Sequence, residues 1–460
     1  MVGEEKEMIS SGPAIKQQVD YLIFGTWLLS MSPETFVSDI LEDGGVAVRR
    51  DRIISVGKAE DLQKSYQATR TFRFPHHVIM PGLVNAHTHA AMTLFRGLAD
   101  DLPFMDWLHG YIFPAERRLT GDLVYKGTQL ACLEMMLSGT TTFCDLYVFE
   151  KSAAQAVGDM KMRAVVGETL YGFPSPSYGS IEAGFTCTEE LISHYQKDPC
   201  IYPAVGIHSL YTCSPDILQE GKRIAERYQV PFIIHLAETQ QEVSIVQQRY
   251  GRSPVDHLNA LGVLDHQVLA AHCIWLEEDD LELFRRRGVR VAHMPESNMK
   301  LAAGIAPIPG FLKRNIPVGL GTDGCASNNN LDLFQEMDMA AKLQKVFRDD
   351  PTLMDAKSVV NMATMGGARA LGLEREIGSL EAGKKADIIV VDLNQPHLVP
   401  LYNLYSHLVY AARGADVECV WVNGELLVEG RLPARADMEG ICCEVENLKG
   451  SVLGFFNKGS

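Results

Sequence analysis

The chain has 460 residues, of which 46% are hydrophobic and 22% are charged, and its formal net charge is -16. The length allows one large core and a smaller unit, and the composition is ordinary for a globular protein. The negative charge argues against DNA, RNA or an anionic membrane as partners and favours a neutral or cationic small molecule. The cysteines lack zinc-finger and thioredoxin spacing, the N-terminus is charged and no apolar run is long enough to cross a membrane. We therefore expect a cytoplasmic protein.

We expect residues 1–16 to be frayed, and both ends of the chain contain short strand-like segments. These segments are residues 21–24, 45–48, 52–57, 386–393 and 417–425. Turn residues and charges separate them, as in antiparallel strands. We predict that residues 1–77 and 385–460, which include a C-terminal tail, build one small β-sandwich, and that residues 78–384 form a domain inserted between its two parts.

The central segment alternates apolar strands with helical patterns. The eight strand candidates end at residues 85–89, 142–145, 165–168, 205–208, 233–236, 269–273, 291–294 and 319–323. Eight strands with helices between them are typical of a (β/α)8 barrel, in the α/β class. A Rossmann sheet is the alternative, but no Gly-x-Gly-x-x-Gly follows an early strand. In a barrel, residues at the C-terminal ends of different strands converge on the active site.

The first of these strands ends in His87 and His89. Alternate side chains of a strand share a face, so both imidazoles project the same way and can bind a divalent metal. Further candidates at strand ends are His235, Glu238, His272 and Asp323. Each has an ordinary alternative, such as a hydrogen-bonded core histidine, a helix-initiating glutamate or a turn-forming aspartate. Their coincidence at one rim favours a metal site.

These motifs resemble those of the amidohydrolase superfamily. Within it they are most similar to the branch of 5′-methylthioadenosine/S-adenosylhomocysteine deaminases and related aminohydrolases and chlorohydrolases. The motifs are Pro-Gly-Leu-Val-Asn-Ala-His-Thr-His at 81–89, His-Leu-Ala-Glu at 235–238, Ala-His-Cys at 271–273 and Gly-Thr-Asp-Gly at 321–324. The branch is indicated by Trp107 and by residues 113–117, 207–209 and 326–330. The likeness extends to about residue 430.

The resemblance implies a single divalent metal, expected to be Zn²⁺, with Fe²⁺ or Mn²⁺ as alternatives. The implied ligands are His87, His89, His235 and Asp323. The fourth strand ends in His208 and not in the lysine that relatives with two metals carbamylate, which indicates one ion.

The mechanistic hypothesis is hydrolytic deamination of an adenine ring, which yields an inosine analogue and ammonia. The metal makes water nucleophilic, and that water attacks C6. Glu238 protonates N1 of the ring as a general acid. Asp323 accepts the proton of the attacking water, and His272, which the resemblance does not make a ligand, orients that water.

The predicted substrate contacts are Trp107, Glu116, His208, Glu238 and Asp323. The first two lie in residues 95–118, a long connection of the kind that forms lids. Trp107 is a candidate to stack on the substrate or to anchor the loop in the core. Glu116 is a candidate to accept both ribose hydroxyls, with a solvated charge beside Arg117 as the alternative.

One departure from the resemblance concerns the 5′ substituent. Relatives that process S-adenosylhomocysteine resemble one another in arginines that pair with its carboxylate. At those places this chain reads Gly-Glu-Thr-Leu at 167–170 and Val-Gly-Asp at 157–159. A carboxylate needs a cationic partner, and Glu168 is expected to repel it. We therefore expect 5′-methylthioadenosine or adenosine to be preferred to S-adenosylhomocysteine.

Two alternative functions remain. A guanine, oxidised-purine or s-triazine aminohydrolase of the same superfamily shares the metal site, although Glu238 favours protonation of a ring nitrogen and Glu116 favours a nucleoside. A non-catalytic barrel used for assembly belongs to another class, but such proteins lose ligands and this chain keeps them. Deamination of nucleic acid is disfavoured because the Pro-Cys-x-x-Cys of that enzyme class is absent. Relatives imply a homo-oligomer.

Overall fold

The computed structural model describes residues 16–32 and 39–456, so the expectation of a frayed end at residues 1–16 lies outside it except at residue 16. The first elements are β1 (Gln17–Leu29), β2 (Ile40–Arg49), β3 (Arg52–Lys58), α1 (Ala59–Ser65) and β4 (Tyr66–Pro81). β1 pairs antiparallel with β2, and β2 with β3, but β1 and β4 are parallel. The sequence predicted antiparallel strands only. Parallel neighbours need a long crossover connection, and β2, β3 and α1 provide it.

The central segment forms a second sheet of eight strands. They are β5 (Leu83–Thr88), β6 (Thr140–Tyr147), β7 (Arg163–Leu170), β8 (Ile201–Ile207), β9 (Phe232–Leu236), β10 (Val268–His272), β11 (Arg290–His293) and β12 (Val318–Leu320). Neighbours along the chain are neighbours in the sheet, and all pairs are parallel. Almost every residue of these strands is buried, because helices cover one face and the barrel core covers the other. The predicted (β/α)8 barrel is confirmed.

Helices follow the barrel strands. They are α2 (Phe104–Trp107), α3 (Phe113–Glu116), α4 (Gly121–Leu137), α5 (Glu150–Asp159), α6 (Ile181–Tyr195), α7 (Pro215–Tyr228), α8 (Gln240–Tyr250), α9 (Pro254–Ala260), α10 (Glu278–Arg287), α11 (Pro295–Lys300), α12 (Ile308–Lys313), α13 (Leu333–Arg348), α14 (Ala356–Met362) and α15 (Met365–Leu371). α10 begins with three acidic residues and ends with three arginines, which suits the helix dipole. A 3-10 helix (Ala90–Phe95) and a π-helical turn (Leu108–Ile112) complete the connection after β5.

The barrel closes between β12 and β5 through hydrogen bonds just beyond the strand β12. The carbonyl oxygen of His87 accepts from the N–H groups of Thr322 and Asp323, at 3.1 and 3.0 Å. The side chain of Asn85 exchanges two further hydrogen bonds with Thr322, at 2.8 and 3.1 Å. A Cβ atom on Gly321 would lie 2.8 Å from the backbone of His87. Only glycine therefore permits this close approach.

The C-terminal part of the chain returns to the first sheet. Its elements are β13 (Ile388–Asp392), α16 (Leu404–Tyr410), β14 (Val417–Val422), β15 (Glu425–Glu429), β16 (Leu432–Pro433) and α17 (Met438–Phe456). β13 pairs antiparallel with β4, so both chain ends build one mixed sheet of eight strands in the order β16-β15-β14-β13-β4-β1-β2-β3. A buried ion pair between Arg163 and Asp387, at 2.9 Å, joins it to the barrel. The boundaries at residues 77 and 384 stay predictions, and β4 itself continues to Pro81.

The last helix, α17, packs on the outside of the segment 95–118, and the sequence analysis assigned no element there. Val452 is buried in the same apolar cluster as Phe95 and Trp107. The rings of Phe456 and Phe95 lie 5.4 Å apart, and Arg118 donates a hydrogen bond of 2.7 Å to the carbonyl oxygen of Gly454. None of the helices in the described part of the chain has the length and apolar composition that a membrane span requires.

Candidate active site

A cavity opens at the C-terminal ends of the barrel strands, and with the open solvent at its mouth it encloses about 570 Å³. The predicted site residues that line it are His89, Trp107, Glu116, His208, His235, Glu238, His272 and Asp323. His87 lies beneath them and is fully buried. The structure thus brings all nine predicted metal-ligating, catalytic and substrate-binding residues into one place, although they come from the ends of five different strands and the connections that follow them.

The histidines form a close cluster around the side chain of Asp323. Ligand atoms of His87, His89 and His235 all lie within 4.8 Å of one another, as do those of His87, His272 and Asp323. The Oδ1 atom of Asp323 is 3.2 Å from Nε2 of His89 and 3.7 Å from Nε2 of His87. Three imidazoles and a carboxylate converging in this way are a typical divalent-metal donor set.

The hydrogen bonds of these histidines fit a metal ion. His89 donates from Nδ1 to the carbonyl oxygen of Leu146 at 2.5 Å, and His235 donates from Nδ1 to that of His208 at 2.7 Å. In both rings Nε2 is therefore the nitrogen left for a ligand bond. Neither ring nitrogen of His87 has a hydrogen-bond partner among the described residues. A buried polar group without a partner costs free energy, and coordination would remove that cost.

The pKa values of the cluster also fit a bound metal ion. Burial lowers the pKa of His87 and of His235 well below 6.5, which keeps their lone pairs free. Burial alone would also lower the pKa of His89, but its hydrogen bond to Asp323 raises it to about 9. His89 in turn lowers the pKa of Asp323 despite burial. The Asp323 carboxylate is thus stabilised by a cation beside it. A divalent ion would compete with the proton for Nε2 of His89.

A third group of possible ligands, His77, Asp392 and Glu418, lies on the mixed sheet. Arg431 already forms ion pairs with both carboxylates of this group, at 2.7 and 3.3 Å. Its guanidinium neutralises them and would repel a metal ion. The barrel cluster is therefore the candidate site.

Glu238 and His272 face each other at the edge of the histidine cluster. Oε1 of Glu238 is 3.7 Å from Nε2 of His272. Burial raises the pKa of Glu238, which favours the protonated form that a general acid needs. Asn298 accepts a hydrogen bond of 2.8 Å from Nδ1 of His272, which leaves Nε2 directed at the cavity. Nothing in the sequence pointed to Asn298, because its role depends on a contact between two separate strand ends.

The carboxylate of Asp323 is fixed by two serines that the sequence analysis did not assign. Ser297 and Ser327 both donate to Oδ2, at 2.6 and 2.9 Å, so Oδ1 is the oxygen that faces the histidines. The backbone of Asp323 has a φ of +62°, a strained conformation that the hydrogen bond to His87 helps to hold. Ser327 lies in the stretch 326–330 that marked the resemblance, whereas Ser297 carried no signal.

Trp107 and Glu116 lie in the cavity wall, on the connection after β5. Glu116 is only 6% exposed, which excludes the alternative of a solvated charge. Burial raises its pKa to about 7, against the opposing effects of Tyr147 and His89. Trp107 is 7% exposed, and its indole N–H finds no partner in the described ranges. Both side chains thus present buried polar atoms to whatever occupies the cavity.

His208 stands among aromatic rings on another side of the cavity. Its ring centroid lies 5.1 Å from that of Tyr171 and 5.5 Å from that of Phe113. Burial lowers its pKa to about 3, so the ring is neutral, and Nδ1 lies 2.9 Å from the Thr212 hydroxyl oxygen. Other apolar and aromatic lining residues are Met92, Phe104, Leu108, Ile112, Tyr147, Tyr211 and Leu301. Within residues 16–32 and 39–456, no lysine or arginine lines this cavity.

Glu168 occupies a different position from the one expected. Its carboxylate accepts hydrogen bonds from the N–H groups of Phe149 and Glu150, at 3.2 and 2.9 Å, and it does not line the cavity. The expectation that Glu168 directly repels a substrate carboxylate is therefore wrong. The unfilled N–H groups at the start of α5 attract this side chain instead.

Comparisons with known proteins agree with this geometry. A model described as the amidohydrolase family matches residues 78–427. A protein of Syntrophobacter fumaroxidans named 5-methylthioadenosine/S-adenosylhomocysteine deaminase is 55% identical over 414 residues, which are 90% of this chain and 94% of that protein.

Solved structures show the same similarity. A crystal structure of an adenosine deaminase from Xanthomonas campestris with bound zinc is 36% identical, with a TM-score of 0.93 over 96% of this chain and 100% of that one. An atrazine chlorohydrolase from Arthrobacter aurescens complexed with zinc is 24% identical, with a TM-score of 0.86 over 93% of this chain and 100% of that one. At that identity the second similarity concerns the fold alone.

Proposed function

This chain belongs to the amidohydrolase family, and we propose that it is a metal-dependent hydrolytic deaminase of adenine nucleosides. The products are the corresponding inosine analogue and ammonia. The observation that carries the proposal is the placement of Glu238 and His272, 3.7 Å apart, in the same cavity as the histidine cluster and Glu116. A relative that is 55% identical is named a 5-methylthioadenosine/S-adenosylhomocysteine deaminase, which supports the substrate class.

The site is a divalent-metal site, and we propose that its ion is one Zn²⁺. His87, His89, His235 and Asp323 would hold it. Zinc bound to a similar protein of Xanthomonas campestris supports this identity, as does the preference of zinc for imidazole ligands. When bound, such an ion acts as a Lewis acid that makes water nucleophilic near neutral pH.

Each catalytic side chain has a distinct task in this proposal. Glu238, whose pKa is raised by burial, donates a proton to N1 of the adenine ring as C6 is attacked. Asp323, ionised and oriented by Ser297, accepts a proton from the attacking water and helps to return one to the leaving amine. His272 orients that water through Nε2, because Asn298 binds its other nitrogen.

Three further side chains would bind the nucleoside. Glu116 offers two buried carboxylate oxygens, which suit the two hydroxyls of a ribose. Trp107 offers an apolar ring face and an indole N–H with no partner among the described residues. His208 offers a neutral ring nitrogen in the same cavity. A buried donor or acceptor without a partner favours ligands that supply one.

The 5′ substituent would lie against apolar and aromatic side chains. Because no lysine or arginine of the described residues lines the cavity, the carboxylate of S-adenosylhomocysteine would be desolvated without a cationic partner. 5′-Methylthioadenosine and adenosine have neutral 5′ groups and avoid this cost. We therefore rank both above S-adenosylhomocysteine as substrates.

The alternative functions fit the cavity less well. The substrates of a guanine or s-triazine aminohydrolase have no ribose for Glu116 to bind. A barrel used only for assembly would have no need for the paired Glu238 and His272. The homo-oligomer that the resemblance implies stays a prediction.

The experiment that tests the proposal is steady-state kinetics of ammonia release. The panel contains adenosine, 5′-methylthioadenosine, S-adenosylhomocysteine, guanine and an s-triazine, and the metal content is measured on the same sample. The highest kcat/KM on an adenine nucleoside is the expected result. A higher value on guanine or the triazine, or no ammonia from any compound with metal bound, would overturn it.

A further inference from the structure

The side chain of Glu242 bonds to the turn that carries Glu238. Glu242 lies in the first turn of α8 and is 1% exposed. Its Oε1 atom accepts a hydrogen bond of 3.1 Å from the N–H of Ala237, and its Oε2 atom accepts one of 2.9 Å from the N–H of Glu238. The helix start is itself capped by Thr239, whose hydroxyl accepts from the N–H of Glu242 at 3.1 Å. Glu242 therefore reaches back past the cap to the end of strand β9.

The turn that Glu242 holds has a strained backbone. Ala237 has a φ of +51°, which is unfavourable for a residue with a Cβ atom. Such a conformation persists only where surrounding hydrogen bonds fix it. The same turn also holds the neighbouring one, because the carbonyl oxygen of Ala237 accepts from the N–H groups of Ile274 and Trp275, at 3.1 and 3.0 Å. That second turn directly follows His272.

We propose that Glu242 is a positioning residue that fixes the backbone of Ala237 and Glu238, and so holds the Glu238 carboxyl group against His272. The assignment rests on the proposed deaminase function, in which Glu238 delivers a proton. Both oxygens of Glu242 accept N–H groups, so the ionised carboxylate is the form that holds the turn. An amide in its place has one acceptor and would direct its NH₂ group at the second N–H.

The chain contains a matched control for this contact. The buried carboxylate of Glu168 accepts two backbone N–H groups in the same way, from Phe149 and Glu150 at the start of α5. No proposed catalytic residue lies in that turn. E168Q and E242Q therefore remove the same kind of bond at the same end of the barrel, and only E242Q changes the turn before the catalytic glutamate.

The test compares wild type, E242Q, E242D and E168Q on 5′-methylthioadenosine. Burial raises the pKa of Glu242 to about 8, although the two N–H groups favour ionisation, so the assays are run above that pH. We expect kcat of E242Q to fall about 100-fold, as for a misplacement of a catalytic group by about 1 Å. KM and metal content should stay within about twofold of wild type, because ground-state binding is unchanged. E242D, which keeps two acceptor oxygens on a shorter chain, should recover part of the lost kcat.

Hydrogen–deuterium exchange provides a readout that does not depend on turnover. The amides of Ala237 and Glu238 should exchange faster in E242Q and not in E168Q. The proposal is overturned if E242Q keeps kcat within about twofold of wild type, or if E168Q loses as much kcat as E242Q at an equal change in Tm. A wild type that deaminates none of the substrates overturns the proposed function instead, and the exchange of these amides then decides whether Glu242 holds the turn.

Discussion

The backbone N–H of Asp323 donates a hydrogen bond of 3.0 Å to the carbonyl oxygen of His87. His87 lies near the end of the first barrel strand and Asp323 follows the last one, so the main chain joins two proposed metal ligands where the barrel closes. Asn85 and Thr322 support the same seam with side-chain hydrogen bonds. Hydrogen bonds of the fold thus hold two of the four proposed ligands in place.

Metal removal should therefore abolish activity without unfolding the protein. Treatment with a chelator is expected to remove the ion, to stop ammonia release and to lower Tm, because an ion that binds only the folded state stabilises it. The far-UV circular dichroism should remain that of the native protein, and added Zn²⁺ should restore the rate. Full activity in a sample shown by mass spectrometry to contain no metal would contradict the prediction.

Replacement of Glu238 by glutamine should remove the proton that the ring nitrogen receives. General acid catalysis contributes about 10²- to 10⁴-fold, and we expect kcat to fall by that factor. KM and metal content should change little, since Glu238 is not among the proposed ligands. The measurement is steady-state kinetics with metal analysis, and an unaffected rate would show that another group protonates the substrate.

The pKa of Glu116, about 7, predicts a pH dependence of substrate binding. Its carboxyl group is neutral below that pH and ionised above it, and the ionised form is the stronger acceptor for ribose hydroxyls. KM for 5′-methylthioadenosine should fall as the pH rises through about 7. E116Q should raise KM roughly tenfold or more and remove this dependence. A 2′,3′-dideoxy analogue is the matched control, and the prediction fails if its KM follows the same pH profile.

The lining of the cavity predicts discrimination between 5′ substituents. We expect kcat/KM for S-adenosylhomocysteine to be at least about tenfold below that for 5′-methylthioadenosine, because burial of an unpaired carboxylate costs more than about 1.4 kcal/mol. An analogue of S-adenosylhomocysteine with its carboxylate converted to an amide should recover part of the difference. Equal values for the two natural substrates would contradict the prediction.

The packing of α17 on the segment 95–118 predicts that this helix supports the substrate site. V452D places a charge in the buried contact with Phe95 and should cost about 1–3 kcal/mol locally. KM for the nucleoside should rise and proteolysis within residues 95–118 should become faster. L453D is the matched control, since Leu453 is 44% exposed on the same helix. Equal kinetic effects of the two variants would show that α17 does not support the site.

Several features of this protein could be predicted from local pattern. The alternation of apolar strands and helices gave the eight barrel strands, and every predicted strand end lies in or directly after an observed strand. The pair His87 and His89, together with the polar residues after other strands, predicted the cluster at the rim. The parallel pairing of β1 with β4 could not be predicted, because strand patterns carry no information about the direction of a partner distant in sequence.

The sequence by itself determined which residue types stand at the ends of the barrel strands, because hydrophobic periodicity fixes where each strand ends and the barrel brings those ends together. Only the tertiary structure decided what supports them. Asn298 fixes the tautomer of His272, Glu242 holds the turn of Glu238, and Glu168 binds a helix start and not a ligand. Each of these contacts is a hydrogen bond whose partner depends on the direction of a side chain, which a chain's local pattern does not set.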